Sequence, residues 1–218
     1  MVYSIIKNNR VNGVCANMAQ TAQTEQDGKM IETIQLTAMH ISPYINLFFT
    51  FSFLGWVMEC IVIRREKGAW EKRGFVHAPF CIIYGFGAML GYMLLQPIAH
   101  NYVLLYIVGA ISATIFEYLT ALLMLRIFGE FWWDYTNKPF NYKGIICLES
   151  TLAWGVVALL VLGFLHDFLL QRLLYIPAQF SNILAVVLVV GYSVDFIISA
   201  VAARKEHNNN RNGSELEA

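Results

Sequence analysis

Charge is the scarcest property of this sequence. Only 14% of its 218 residues are charged, 57% are hydrophobic, and the formal net charge at neutral pH is zero. Soluble domains carry about 25% charged residues, so this chain has too few polar groups to cover a surface in water, and we expect it to lie in a lipid bilayer. Without a dense basic patch, a nucleic-acid partner is not expected.

Several catalytic motifs are also missing. The sequence has no Gly-x-x-x-x-Gly-Lys-Ser/Thr phosphate loop, no His-Glu-x-x-His and no Gly-x-Ser-x-Gly. We therefore expect that the chain is not an enzyme, has no catalytic residues and needs no cofactor. Any energy for transport would come from a partner or from an ion gradient.

Cysteine is sparse and shows no metal-binding or redox spacing. The four cysteines are Cys15, Cys60, Cys81 and Cys147, with no Cys-x-x-Cys pair. The last three fall near segment ends that we assign to the cytoplasm, where thiols stay reduced. Together with His77 they include ligand types for a soft metal. Buried cysteine is more often inert packing, so we expect no metal site.

The sequence does contain five long apolar segments. They cover residues 45–63, 79–95, 102–125, 145–165 and 183–203. A helix that crosses a bilayer needs ~20 mainly apolar residues, and continuous apolar runs favour helices over strands. The second segment is the shortest, and it reaches spanning length only if its helix extends back to Phe75, with Pro79 in the first turn.

These segments predict an all-α polytopic membrane protein with about five transmembrane helices. The transmembrane domain covers residues 45–203. Residues 1–44 form a polar N-terminal extension that we expect to be partly disordered. Residues 204–218 are polar and asparagine-rich, which predicts a disordered cytoplasmic tail.

Lysine and arginine are unevenly distributed between the two sides of the predicted domain. The loops after the first and third segments and the C-terminal tail hold eleven of the 15 basic residues. The loop after the second segment holds none, and the loop after the fourth holds only Arg172. Basic loops face the cytoplasm, so we predict that the N-terminus is outside and the C-terminus is cytoplasmic.

A weak internal repeat relates the first two segments to the third and fourth. In each half an acidic residue comes first. A loop with tryptophan follows, then a basic residue directly before a glycine, then a cysteine, and last a second glycine. The corresponding residues are Glu59, Trp70, Arg73, Gly74, Cys81 and Gly85 in one half, and Glu117, Trp132, Trp133, Lys143, Gly144, Cys147 and Gly155 in the other. The first and third helices would cross in the same direction, so the repeat would be parallel, as in some transporters.

Four acidic residues lie inside the apolar segments: Glu59, Glu117, Glu149 and Asp195. Carboxylates in a membrane are costly and usually face the protein interior. At 1.5 Å per residue, Glu59 and Glu149 lie about 6 Å, and Glu117 and Asp195 about 12 Å, from the cytoplasmic ends of their segments. This common placement predicts an acidic site, open to the cytoplasm, for a proton, a cation or a cationic group of a substrate. The alternative is that each carboxylate only hydrogen-bonds a neighbouring helix or loop.

The connection between the third and fourth segments is unusually aromatic and polar. It contains Trp132, Trp133, Asp134, Tyr135 and Asn141. Tryptophan and tyrosine favour the membrane–water interface, which indicates an anchor at the cytoplasmic headgroups. The polar residues favour a second interpretation, in which this loop folds back as a lid over the acidic site.

Several of these stretches resemble one family of bacterial membrane proteins. They are "SFLGWVMEC" (52–60), "RGFVHAPFCIIYGFG" (73–87), "FEYLT" (116–120), "WWDYTNKPFNYKG" (132–144) and the pair Trp154 and Gly155. Together they resemble the ABC-transporter type IV, or CmpB-like, family over roughly residues 46–165. The resemblance places the family's acids at Glu59 and Glu117 and its aromatic loop at residues 132–135. Glu149 is not a typical position of the family.

The resemblance implies a permease or transporter subunit in the bacterial inner (plasma) membrane, with an acidic site and an unknown substrate. The alternative is a non-transporting scaffold or regulatory subunit of a larger complex. The partners to expect are the lipid bilayer, a separate ATP-binding subunit, and further copies of the chain in a homo-oligomer.

Overall fold

The structure is a computed structural model that describes residues 41–65, 67–70, 74–129, 131 and 133–216, with side chains described as far as Arg204. Most of the predicted N-terminal extension therefore lies outside the described residues. Within them the chain forms the following α-helices: α1 (Ile41–Arg65), α2 (Ile82–Leu95), α3 (Tyr102–Phe128), α4 (Leu148–Leu160), α5 (His166–Leu174) and α6 (Ala178–Leu216).

Four stretches of the described chain are long and apolar enough to cross a membrane. They are α1, α3, the continuous rod Leu148–Leu174 formed by α4 and α5, and Ala178–Arg204 of α6. The remaining apolar helix, Ile82–Ile98, is shorter and consists of α2 and one 3-10 turn. The prediction of an all-α polytopic membrane protein is confirmed, with four candidate spans and one shorter helix.

The second helix begins later than predicted, because residues 74–81 are not helical. The backbone N–H of Ala78 donates to the Asp195 carboxylate at 2.6 Å, and that of Cys81 donates to the Ser52 carbonyl at 3.0 Å. These bonds hold the segment, whose backbone bends repeatedly, against α6 and α1. The predicted extension back to Phe75 is wrong, and Pro79 stands before the helix rather than in its first turn.

The fourth predicted segment continues to Leu174 through a π-helical turn, Val161–Leu165. Before this turn Ala158 packs against Leu95 and Leu105, and after it Leu169 packs against Leu47 and Phe51. A π turn inserts an extra residue into the helical register, so it changes the face that a helix presents. Because of this change the rod packs against α3 before the π turn and against α1 after it.

The last helix is attached to the bundle by polar contacts at the start of its membrane span and within it. At the start Asn46 of α1 donates to the carbonyl and hydroxyl oxygens of Ser181 at 3.1 and 3.0 Å. Further along the span Asp195 holds residues 77–78. The helix continues through residues 204–216, for which the composition predicts a disordered tail, and the order of that tail in solution stays a prediction.

The α1–α2 and α3–α4 pairs are built alike. A cysteine stands at the N-cap of each shorter helix, Cys81 before α2 and Cys147 before α4. A glycine of each shorter helix presses on the longer one: a Cβ on Gly85 would lie 2.7 Å from the Phe48 carbonyl, and a Cβ on Gly155 would lie 2.6 Å from the Tyr106 ring. The two glycines follow their cysteines at different distances, four residues for Gly85 and eight for Gly155, so the repeat stays a prediction.

Candidate functional site

Glu117 is the most deeply buried acidic side chain among the described residues, with 6% of its surface exposed. The Tyr135 hydroxyl donates to one of its carboxylate oxygens at 3.1 Å. The Trp154 indole N–H donates to the other at 3.1 Å, and the Ser150 hydroxyl lies 3.4 Å from the same oxygen. All three partners are neutral, and no cationic side chain of the described chain lies within ion-pair distance of Glu117.

The α3–α4 connection brings Tyr135 to Glu117 by folding back beside α3. The Tyr135 N–H donates to the Gly144 carbonyl at 2.8 Å. Gly144 has a φ of 68°, and a Cβ there would lie 2.9 Å from the Asp134 carboxylate, so only glycine fits. Burial, followed by the neighbouring Glu117 carboxylate, raises the pKa of the Tyr135 hydroxyl, which therefore stays protonated and remains a donor.

Side chains of the same connection satisfy its own backbone. Asn141 donates to the carbonyls of Thr136 and Lys138 at 3.1 and 2.9 Å and accepts from the Gly144 N–H at 3.2 Å. The Trp133 indole donates to the Ile145 carbonyl at 2.8 Å. Asp134 accepts from the hydroxyl and N–H of Thr136, and these bonds lower the pKa of its exposed carboxyl. Trp132 lies outside the described residues.

Glu59 lies next to the same cluster. The Tyr84 hydroxyl of α2 donates to its carboxylate at 2.9 Å, and the Tyr84 ring lies 6.0 Å from that of Trp154. The Trp154 indole in turn donates to Glu117, so the donors of the two glutamates are neighbours across the two helix pairs. That Glu59 and Glu117 act at one site stays a prediction.

The two carboxylates lie deeper than their predicted positions. α3 continues past residue 125 and ends where Gly129 adopts a left-handed conformation with φ of 81°. Glu117 is thus eleven residues from the end of α3, or about 16 Å at 1.5 Å per residue. Glu59 is six residues from the end of α1, about 9 Å by the same measure.

The other two predicted acids are not part of this cluster. Glu149, in the first turn of α4, is 66% exposed and pairs with Lys138 at 3.0 Å. Asp195 accepts from the Ala78 N–H and lies 2.9 Å from His77 Nδ1. The expectation that all four acids gather at one site is therefore not met: Glu149 points outward, and Asp195 fastens the segment before α2 to α6.

Sequence reasoning did not assign Tyr84 or Ser150 to the site. Tyr84 stands three residues after Cys81, and Ser150 stands three residues after Cys147. An alignment of the two halves on their cysteines would therefore have placed Tyr84 opposite Ser150. His166 was also missed. It is fully buried, its ring stacks on that of Tyr92 at 3.5 Å, and no sequence motif marks it.

Comparison with known protein families assigns the chain to one of them. A family model described as "Putative ABC-transporter type IV" matches residues 46–200. The chain belongs to this family. The match extends beyond the residues 46–165 that carry the resemblance and includes α5 and most of the membrane-spanning part of α6. No curated protein and no solved structure matches the chain.

Membership in the ABC-transporter type IV family agrees with a multi-pass membrane protein of transporter type. It places Glu59, Glu117 and the aromatic loop within the matched region, together with their partners Tyr84 and Trp154. The family name does not identify a substrate.

Proposed function

We propose that this chain is the permease subunit of a transporter in the bacterial inner membrane, in which Glu117 binds a cation, a proton or a cationic group of the substrate. The family name supports the transporter class. The placement of basic loops supports an outer N-terminus and a cytoplasmic C-terminus. The acidic site would open towards the cytoplasm, covered by the 133–147 connection as a lid.

The observation that carries the proposal is a buried carboxylate with neutral partners alone. A carboxylate removed from water is stable when a positive charge or several hydrogen bonds replace its hydration. Glu117 has three neutral partners, Tyr135, Trp154 and Ser150, but no cation in ion-pair distance within the described chain. A transported cation would supply the missing charge.

Energy for transport would come from a separate ATP-binding subunit, as the family name suggests, or from an ion gradient. The chain itself would not be an enzyme. Affinity purification in mild detergent, followed by mass spectrometry, tests the first source. A co-purifying ATP-binding protein supports the ABC assignment, and its consistent absence supports coupling to an ion gradient.

Cation uptake tests the role of Glu117 directly. The protein, with any subunits that co-purify, is reconstituted into liposomes, and uptake of radiolabelled sodium, rubidium and methylammonium is measured beside proton entry. We expect Glu117→Gln to reduce uptake of at least one of these about tenfold or more, because it removes a charge-assisted contact. Glu149→Gln, the matched control on an exposed acid, should leave uptake unchanged. No uptake above empty liposomes, or equal uptake by Glu117→Gln, contradicts the proposal.

A second candidate is a non-transporting scaffold, and one observation favours it. The donors to Glu117 come from the connection and from α4, so the carboxylate also ties three elements together. In that case Glu117→Gln would lower the yield of folded protein as much as it lowers any activity of the complex. A variant that folds in normal yield but takes up no cation excludes the scaffold.

A further inference from the structure

We propose that His166 and Asp167 form a second ion-binding site, which binds a proton on the opposite side of the membrane from Glu117. The inference rests on the proposed function only where it names the proton as the ion that drives transport. Binding of the proton itself does not require transport by the chain.

The site lies far from the Glu117 cluster on the continuous rod of α4 and α5. His166 is the first residue of α5 and directly follows the π turn, Val161–Leu165. It stands twelve residues beyond Trp154, the donor to Glu117, which is about 18 Å at 1.5 Å per residue. Single π turns within helices are frequent at functional sites. In the orientation proposed above, this end of the rod faces the outside of the cell.

The His166 ring is completely enclosed within a membrane-spanning rod, with 0% of the residue exposed. Ionisable side chains at membrane depth are costly and usually have a function. Nδ1 lies 3.0 Å from the Asp167 carboxylate, and a carboxylate only accepts, so Nδ1 carries the ring hydrogen. Nε2 is left with a lone pair, and it is buried without a hydrogen-bond partner within the described chain. A proton is small enough to bind this atom without moving the side chains around it.

The surroundings of the ring stabilise its positively charged form. The Asp167 carboxylate supplies a negative charge at 3.0 Å. The Tyr92 ring of α2 stacks on the imidazole with a centroid distance of 3.5 Å and an interplanar angle of 12°, and the Phe51 ring of α1 lies nearly parallel at 6.2 Å. A cation over an aromatic face is attracted by the electrons of the ring. The carboxylate and the stacked tyrosine therefore both favour imidazolium over neutral imidazole.

No charged side chain of the described helices packed on this ring competes with Asp167. α2 contains no charged residue. The charged residues of α1 begin at Glu59, eight residues or about 12 Å beyond the phenylalanine that faces the site. On α5 itself, the Arg172 guanidinium lies over the Phe168 ring.

The other titratable groups around the site are tyrosines. The Tyr92 hydroxyl interacts with Asp167, and the Tyr44 hydroxyl of α1 interacts with Tyr92. The Tyr102 ring of α3 lies against Gly163 of the π turn. Tyrosine is neutral at physiological pH, so the charge of the site is that of the histidine and the aspartate.

Asp167 connects the enclosed ring to water. Its side chain is 62% exposed, and it stands seven residues, or about 10 Å, before the end of the rod at Leu174. The rod of 27 residues is about 40 Å long, whereas the hydrocarbon layer is about 30 Å thick, so Asp167 lies near the edge of that layer. When a proton binds, it adds to the free lone pair of the imidazole and no other bond changes. The net charge of the pair then rises from −1 to 0.

Solid-state NMR of the full chain in lipid bilayers, with isotope-labelled histidine, tests the site without any need for transport. The nitrogen chemical shifts distinguish imidazolium from neutral imidazole, and glutamine at the other four histidines leaves the His166 signal alone. At mildly acidic pH we expect imidazolium in the wild-type site. We expect loss of that signal to neutral imidazole in Asp167→Asn, which keeps the shape of the side chain but removes its charge. In the chain with all its histidines, the signal of the exposed His100 should not respond to Asp167→Asn. A neutral His166 in the wild-type site, or an imidazolium that Asp167→Asn leaves unchanged, overturns the proposal.

Proton entry into reconstituted liposomes tests the coupling role separately. With the outside made acidic, we expect His166→Gln and Asp167→Asn to lower the rate of proton entry several-fold, because histidine and aspartate relay protons in transporters. Glu149→Gln, on an exposed acid outside the site, should keep the wild-type rate. Equal rates in the wild type and His166→Gln, or no proton entry in the wild type, overturn the coupling role even if another cation is taken up. The NMR result decides proton binding by itself.

Discussion

The α1–α2 and α3–α4 pairs share one plan but use the connection between their helices differently. In both, an N-cap cysteine starts the shorter helix, and an aromatic side chain of that helix donates to the glutamate of the longer one. The α3–α4 connection turns back and binds the glutamate of its own pair through Tyr135. The described part of the α1–α2 connection instead binds Asp195 of α6.

This difference shows how one repeated pattern gives two roles. Glu117 is enclosed by its own half of the molecule and is 6% exposed, whereas Glu59 is partly buried at the edge of the same cluster. The first half is used to dock the last helix, and the second half is used to build a closed acidic site. Substitutions at comparable positions of the two halves test the docking role and the acidic-site role separately.

Matched glycines give the largest expected effect. Gly85→Ala would force a Cβ against the Phe48 backbone carbonyl, and Gly155→Ala would force one against the Tyr106 ring. Overpacking costs about 1–3 kcal/mol, and we expect the larger loss of unfolding free energy in Gly85→Ala, because a ring can rotate away and a backbone cannot. Gly191→Ala, with nothing within 4 Å, is the control. Denaturant unfolding in micelles checks the order, and a larger loss in Gly155→Ala would contradict it.

Matched donors to the two glutamates come next. Trp154→Phe leaves a buried carboxylate oxygen short of a donor, which costs about 1–3 kcal/mol. Tyr84→Phe removes one donor to the less buried Glu59, so we expect a smaller loss. Thermal unfolding of both variants in the same detergent measures the difference. If Tyr84→Phe proves the more damaging, Glu59 is the acid on which the fold depends.

Alkaline stability isolates the tyrosine that donates to Glu117. The pKa of Tyr135 is raised above its ordinary value of 10.0, first by burial and then by Glu117. Its contribution to the free energy of unfolding is therefore complete below pH 10 and declines as the pH rises further. We expect the wild-type chain to lose up to about 1.4 kcal/mol more per pH unit above pH 10 than Tyr135→Phe. Tyr175→Phe, at an 83% exposed site, should follow the wild type. Parallel slopes for the wild type and Tyr135→Phe would show that the hydroxyl is not buried.

The attachment of the first connection to α6 gives the smallest and most local effect. Asp195→Ala removes the acceptor for the Ala78 N–H, so hydrogen exchange in residues 74–81 should accelerate while exchange in residues 133–147 stays unchanged. Ser193→Ala, two residues away on α6, is the control. Acceleration in both connections would mean that the two halves open together.

The helices were largely predictable from the sequence because their apolar runs are continuous and long. Their ends were not, since these depend on tertiary contacts: Gly129 ends α3 beyond the apolar run, and the bonds of Ala78 and Cys81 delay α2. Depth marked all four acids alike, and only the family resemblance singled out Glu59 and Glu117. The direction of Glu149 could not be predicted, because its pairing with Lys138 depends on the fold of the loop.

The central claim is that Glu117 takes up a cation, and binding measured by thermal unfolding tests it most directly. Sodium, potassium or methylammonium chloride is titrated against choline chloride at constant ionic strength. A cation at a hundredfold excess over its dissociation constant stabilises a protein by about 2.7 kcal/mol. We predict a rise in the unfolding midpoint for the wild type and for Glu149→Gln with at least one of these cations, and no rise for Glu117→Gln. An equal rise in Glu117→Gln, or none in the wild type, would contradict the claim.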